Sequence, residues 1–185
     1  MSYYIFDDMF PEKLVSDIEN LLTSFPFDWH FVDLSSGSSI NANNPLEKDC
    51  SQMIHMFCKG DEWSSPYSDI VQSMIAVIKE ETDILSIHKI KANLTIPDGT
   101  SSEHYNAPHQ DHEQDNFLSM VYYVHDSDGD TILFDRQNKL GELNQLVRMT
   151  PSRGRCVVFP SKQFHSSSNP TMFKNRIILN FTFQV

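Results

Sequence analysis

At 185 residues, with 39% hydrophobic side chains and a mean hydropathy of −0.38, the chain can bury one core without disulfide or metal staples. Its net charge of −11 argues against nonspecific binding to nucleic acid or anionic membrane, because phosphate contacts need lysine and arginine. No stretch approaches the roughly 20 apolar residues of a membrane helix and no basic-then-apolar leader is present, so the expectation is a cytoplasmic protein whose three cysteines, Cys50, Cys58 and Cys156, are reduced thiols.

Along the chain, "FPEKLVSDIENLLTSF" places Leu14, Ile18, Leu21 and Leu22 at helical spacing behind Pro11, which predicts an amphipathic helix. Residues 35–50 are polar and turn-rich and read as a loop. A second helix is expected over "SPYSDIVQSMIAVIKEE", with Ile70, Met74, Val77 and Ile78 on one face. From about Asp83 the period becomes two. In "SIHKIKANLTI", Ile90, Ala92, Leu94 and Ile96 face one way and Lys89, Lys91, Asn93 and Thr95 the other.

Further strands are expected at "NFLSMVYYV", "TILF", "RCVVFP" and "RIILNFTFQV". The last one sets Ile177, Leu179, Phe181 and Phe183 against Arg176, Ile178, Asn180 and Thr182. Its polar stripe and that of Lys89 to Thr95 either line a ligand cavity or both face solvent, and the sequence allows both. Helices followed by short strands predict an α+β chain whose C-terminal half is an antiparallel sandwich or barrel. Between the strands, "DSDGDTILFD" has Thr131 and Gln137 where a calcium loop needs Gly and Glu, and reads instead as an Asp-Gly hairpin turn.

Charge is unevenly spread. Residues 1–135 carry 24 of the 25 acidic side chains and 6 of the 14 basic ones, and residues 136–185 carry the other 8 basic ones. This means either two solvated faces of opposite sign or a C-terminal segment that receives an anion.

The chemistry concentrates in "APHQDHEQDNFLSMVYY". His109 and Asp111 are two residues apart, so at a strand end both leave one face and can meet one metal ion. A third ligand must come from elsewhere, and His165, just past "RCVVF", is the candidate. Two histidines and a carboxylate form the facial arrangement of non-haem ferrous oxygenases. Arg176, at the start of the last strand, offers a planar fork for a carboxylate. His112 points to the opposite face from Asp111 and is read as lying outside the ligand set. His30, His55, His88 and His125 are in no spacing that chemistry requires.

In this order of elements the chain resembles the Fe(II)/2-oxoglutarate-dependent dioxygenases, in particular the prolyl-4-hydroxylase-like superfamily with its short phage-type members. The resemblance runs over about residues 84–185, through "IKANLTIP", "APHQD", "SMVYYVHDSDGDTILF", "RGRCVVFPSKQFHSSSNP" and "RIILNFTF". It implies an α+β, mainly β fold: a double-stranded β-helix, or jelly roll, with N-terminal supporting helices. Residues 1–185 would form one domain, with 1–83 as helical support and loops and 84–185 as the β-helix core.

The resemblance further implies that His109, Asp111 and His165 hold Fe(II) and that Arg176 pairs with the distal carboxylate of 2-oxoglutarate. Tyr123, Asn180 and Asn93 would contact this cosubstrate. The implied reaction uses dioxygen, with ascorbate as a stimulant, and couples decarboxylation of 2-oxoglutarate to hydroxylation of a C–H bond in a peptide or small-molecule substrate. Residues 35–50 and 98–108 are the expected lids. The competing reading is a non-catalytic or cupin-like jelly-roll protein that binds a metal or small molecule.

Overall fold

The computed structural model describes residues 3–33, 50–135 and 143–185. In chain order the elements are β1 (Tyr4–Phe6), α1 (Glu12–Thr23), β2 (His30–Val32), β3 (Gln52–Lys59), β4 (Glu62–Trp63), α2 (Ser68–Glu81), β5 (Ser86–Thr95), β6 (Phe117–Tyr123), β7 (Thr131–Phe134), β8 (Gln145–Met149), β9 (Cys156–Pro160), β10 (His165–Ser167) and β11 (Arg176–Gln184). The major sheet runs β1-β9-β6-β11-β5-β3-β2, with β4 paired to β3, and the minor sheet runs β10-β7-β8. Every pairing is antiparallel.

The expected jelly roll with supporting helices is present, and sequence periodicity explains its two larger apolar clusters. Ile177, Leu179, Phe181 and Phe183 of β11 join Ile90 and Ala92 of β5 on the outer face of the major sheet. There they pack with Ile18 and Leu22 of α1 and Met74 and Ile78 of α2. Full burial of each large apolar side chain is worth about 1.5–3 kcal/mol. The opposite faces of β6, β9 and β11 supply Val121, Tyr123, Phe159 and Ile178, which meet Leu133 of β7 between the sheets.

Several expectations need correction. Residues 1–83 are more than helices and loops: β1, β2, β3 and β4 belong to the major sheet, and β3 pairs directly with β5. The inward face of α2 is rotated by one position, burying Val71 and Ile75 while Ile70 and Val77 are only partly covered. Ile96 lies beyond the end of β5 and is 58% exposed. "DSDGDTILFD" is not a hairpin, because β6 lies in the major sheet and β7 in the minor one, so the segment crosses between sheets. The proposed lid at 35–50 lies outside the described residues except for Cys50.

The charge asymmetry resolves into intramolecular pairs. Arg153 reaches Glu12 at 3.0 Å and Glu19 at 2.6 Å on α1, and Arg155 reaches Asp7 at 2.6 Å. Basic C-terminal residues thus clamp the acidic N-terminal segment onto the sheet.

Candidate metal and cosubstrate site

His109 lies on the connection from β5 to β6, and this connection is irregular rather than the end of a strand. An antiparallel bridge joins His109 and His165, in which the His109 N–H donates to the His165 carbonyl at 2.9 Å and the His165 N–H to the His109 carbonyl at 3.0 Å. The Asp111 N–H donates to the Ser161 carbonyl at 3.0 Å, which fixes the loop two residues further on. One ligand atom from each of His109, Asp111 and His165 lies within 4.8 Å of the others.

Local hydrogen bonds set the ring orientations. Nδ1 of His109 donates to the Ala107 carbonyl at 3.3 Å, and Nδ1 of His165 to the Gln163 carbonyl at 3.0 Å. A carbonyl can only accept, so each ring keeps its proton on Nδ1 and presents a bare Nε2 to the cluster. Nε2 of His165 is buried, has no hydrogen-bond partner, and stands 3.5 Å from Oδ2 of Asp111. An orphaned lone pair beside a carboxylate, shielded from water, is the environment that a cation satisfies. Burial holds His109 down to about 3, so His109 stays neutral and able to ligate.

Asp111 is held by several partners. The Ser119 hydroxyl donates to Oδ2 at 2.7 Å, Nδ2 of Asn180 donates to the same oxygen at 3.3 Å, and Lys89 lies 3.4 Å from Oδ1. Burial opposes its charge, but His165, Lys89, His109 and the Ser119 hydroxyl together outweigh burial and keep the carboxyl below the usual carboxylate range. Asn180, expected from the resemblance to touch the cosubstrate, therefore already engages Asp111. Ser119 and Lys89 were not singled out by the sequence. Only the strand register, which sets Thr182 of β11 opposite Ser119 of β6 on one side and Lys89 of β5 on the other, places them here.

Arg176 is 3% exposed. Its Nε donates to the Gly129 carbonyl at 2.6 Å and its Nη2 to Oγ1 of Thr131 at 2.8 Å, while no carboxylate pairs with it among the described residues. A buried guanidinium with unused donors fits an incoming anion. Gly129 makes this approach possible, since a Cβ there would lie 2.7 Å from Cδ of Arg176 and 2.9 Å from the Ser168 carbonyl oxygen. The Arg176 guanidinium stands 5.9 Å from the centre of the Tyr123 ring, and the buried Tyr123 hydroxyl has no well-aligned hydrogen-bond partner. Burial pushes that phenol up.

One cavity gathers His109 and His165 with Lys91, Asn93, Thr131, Arg176 and Asn180. The two polar stripes thus line a cavity rather than facing solvent. Asn93 is held from outside, its Nδ2 donating to Oε1 of Gln52 at 2.7 Å. A separate apolar hollow lined by Phe31, Met53, Leu94 and Ile96 touches the cavity only at Gln52 and holds none of the three ligand residues. His112 stacks on Phe117 with ring centres 3.6 Å apart and stays outside the cluster. His55 is structural, bonded to the Asp28 carbonyl at 2.8 Å and to the Ser65 hydroxyl at 2.7 Å.

Residues 94–184 match the family model of the 2OG-Fe(II) oxygenase superfamily. No curated protein matches the chain by sequence. Among solved structures, the chain is similar to an oxidoreductase of the 2OG-Fe(II) oxygenase family from Burkholderia pseudomallei, with 12% identity over 98% of this chain and 84% of that one and a TM-score of 0.69. It is also similar to a prolyl hydroxylase from Trichoplax adhaerens in complex with a hypoxia inducible factor peptide fragment, with 14% identity over 98% and 83% and a TM-score of 0.61. A third neighbour is the epimerase SnoN in complex with Fe3+, alpha ketoglutarate and nogalamycin RO, with 13% identity over 98% and 78% and a TM-score of 0.62. At these identities the likeness is one of fold.

Proposed function

Through residues 94–184 the chain is a member of the 2OG-Fe(II) oxygenase superfamily, an enzyme that uses iron and 2-oxoglutarate, and from that premise we propose that it hydroxylates a C–H bond of a peptide or small-molecule substrate, a prolyl or other amino-acid residue being the first choice. The observation that carries this reading is the convergence of His109, Asp111 and His165 within 4.8 Å, with a bare, unpartnered His165 Nε2 beside the carboxylate. His109, Asp111 and His165 are the proposed iron ligands, a set that leaves coordination positions open for cosubstrate and dioxygen.

When bound, iron and 2-oxoglutarate supply dioxygen activation and the two electrons released by decarboxylation to succinate. The chain's own groups bind and orient. Arg176 takes the distal carboxylate through the guanidinium donors that Gly129 and Thr131 leave unused. The Tyr123 hydroxyl, buried beneath Arg176 beside Thr131, donates to the same anion. Ser119 and Asn180 hold Asp111 in the orientation that keeps one oxygen toward the two imidazoles. Asn93, with its carbonyl oxygen buried and unpaired, is a further polar contact on the cavity wall.

The test is direct. Purified protein with Fe(II), ascorbate and 2-oxoglutarate should form succinate slowly without prime substrate, and His165→Ala should lose both iron and succinate formation. Iron bound with no succinate formed in the unsubstituted protein would instead favour a metal-binding module. Substrate class is then read by mass spectrometry, as a 16 Da gain on peptides or on small molecules.

A further inference from the structure

We propose that Lys91 is the recognition residue for an anionic group, a carboxylate or an oxyanion of the phosphate or sulfate type, on the prime substrate; this rests on the oxygenase reading above. Lys91 extends from β5 into the cavity that holds His109, His165 and Arg176, and it stands directly across from Asn180 of β11. Its neighbour on the same stripe, Lys89, is committed to Asp111 at 3.4 Å. Lys91 has no hydrogen-bond or ion-pair partner among the described residues.

An ammonium drawn out of bulk water without a partner costs stability, and burial together with the like charge of Lys89 draws Lys91 down to about 8. A charge that the fold does not use is explained by a ligand that does use it. The local charge balance points the same way. Divalent iron and dianionic 2-oxoglutarate cancel, Asp111 offsets one of Lys89, Lys91 and Arg176, and a positive surplus is left in a chain whose net charge is −11. Arg148 of β8 is already paired with Asp130 at 2.9 Å.

The register separates Lys91 from the cosubstrate site. Arg176 pairs with Thr95 and Asn180 with Lys91, so the backbone positions of the two cations stand four residues apart along the strand pair, about 13 Å by strand rise. This spacing builds two anion sites rather than one. The second lies on the Asp111 side of the cavity, where the bond to be oxidised must come.

The experiment uses the full chain loaded with Mn(II) in place of iron, so that no turnover occurs. Calorimetry first titrates 2-oxoglutarate. Sodium acetate and sodium sulfate are then titrated at constant ionic strength against chloride, with and without 2-oxoglutarate. Saturable anion binding to the 2-oxoglutarate-loaded protein is expected, weakened by about tenfold or more in Lys91→Gln and kept within about threefold in Lys91→Arg. Acetate or sulfate saturating alone tells a carboxylate from a larger oxyanion. The thermal midpoint of Lys91→Gln should equal or exceed that of the unsubstituted protein, because an unpaired charge is removed. Anion binding that does not saturate, or that Lys91→Gln leaves unchanged, overturns the proposal. Failure of 2-oxoglutarate to bind in the first titration counts against the oxygenase reading instead.

Discussion

Single atoms decide whether this site works, and Gly129 is the clearest case. A methyl group there meets Cδ of Arg176 at 2.7 Å and the Ser168 carbonyl oxygen at 2.9 Å. The Arg176 stem can bend but the backbone oxygen yields only with the loop, so Gly129→Ala should cost about 1–3 kcal/mol of stability. It should also raise the KM for 2-oxoglutarate more than it lowers kcat, as steady-state succinate assays would read. Ser119 bears on the proposed iron site through Asp111, to which its hydroxyl donates at 2.7 Å. Ser119→Ala leaves the three proposed ligands in place, so iron affinity should fall by about 10–100-fold without being abolished, measured by competition with a chelator.

Elements matter here chiefly through how they are joined. The crossing from β6 to β7 is pinned by Asp128, whose carboxylate accepts from the N–H groups of Thr171, Met172 and Phe173 at 3.1, 2.7 and 3.3 Å. These bonds tie it to the segment just before β11 and so fix the frame around Gly129 and Arg176. Burial opposes the charge of Asp128, but the Thr171 hydroxyl and the backbone donors outweigh it and hold its carboxyl below the ordinary aspartate range. A carboxyl lowered on folding contributes stability that is fully present above its unfolded value and is lost as pH falls through the folded one. Asp128→Ala should therefore lower the thermal midpoint at pH 7 by an amount that shrinks below about pH 3.8. A calorimetric pH series of both proteins checks this, and a constant difference down to pH 2 would contradict it.

At the scale of the whole molecule, the acidic N-terminal segment is held against the basic C-terminal strands. Arg153 spans Glu12 and Glu19 of α1, and Arg155 holds Asp7. These pairs lie at the surface, so they orient α1 more than they stabilise it. Arg153→Ala should give a small loss of thermal midpoint that high salt erases, whereas truncating Ile18 or Leu22, buried beneath the same helix, should destabilise the fold by about 2–5 kcal/mol at any ionic strength.

What was legible in the sequence was whatever depends on local period and side-chain chemistry. The helices α1 and α2 and the strands β6, β7, β9 and β11 show their apolar periods openly, and "HQD", the distant histidine and the following arginine name their own chemistry. Strands such as β8, "QLVRM", and β10, "HSS", were missed because they carry no apolar alternation of their own and exist only through pairing with β7. By itself, then, the sequence determined the fold class, the polar stripes and the identity of the side chains proposed for the site. Only the tertiary structure decided that the stripes enclose a cavity, that Ser119, Asn180 and Lys89 share Asp111, that Gly129 makes room for Arg176, and that Lys91 has no partner among the described residues. The physical reason is that these depend on antiparallel register between β5, β6 and β11 and on the crossing between two sheets, which set distances between residues far apart in the chain and leave no local trace.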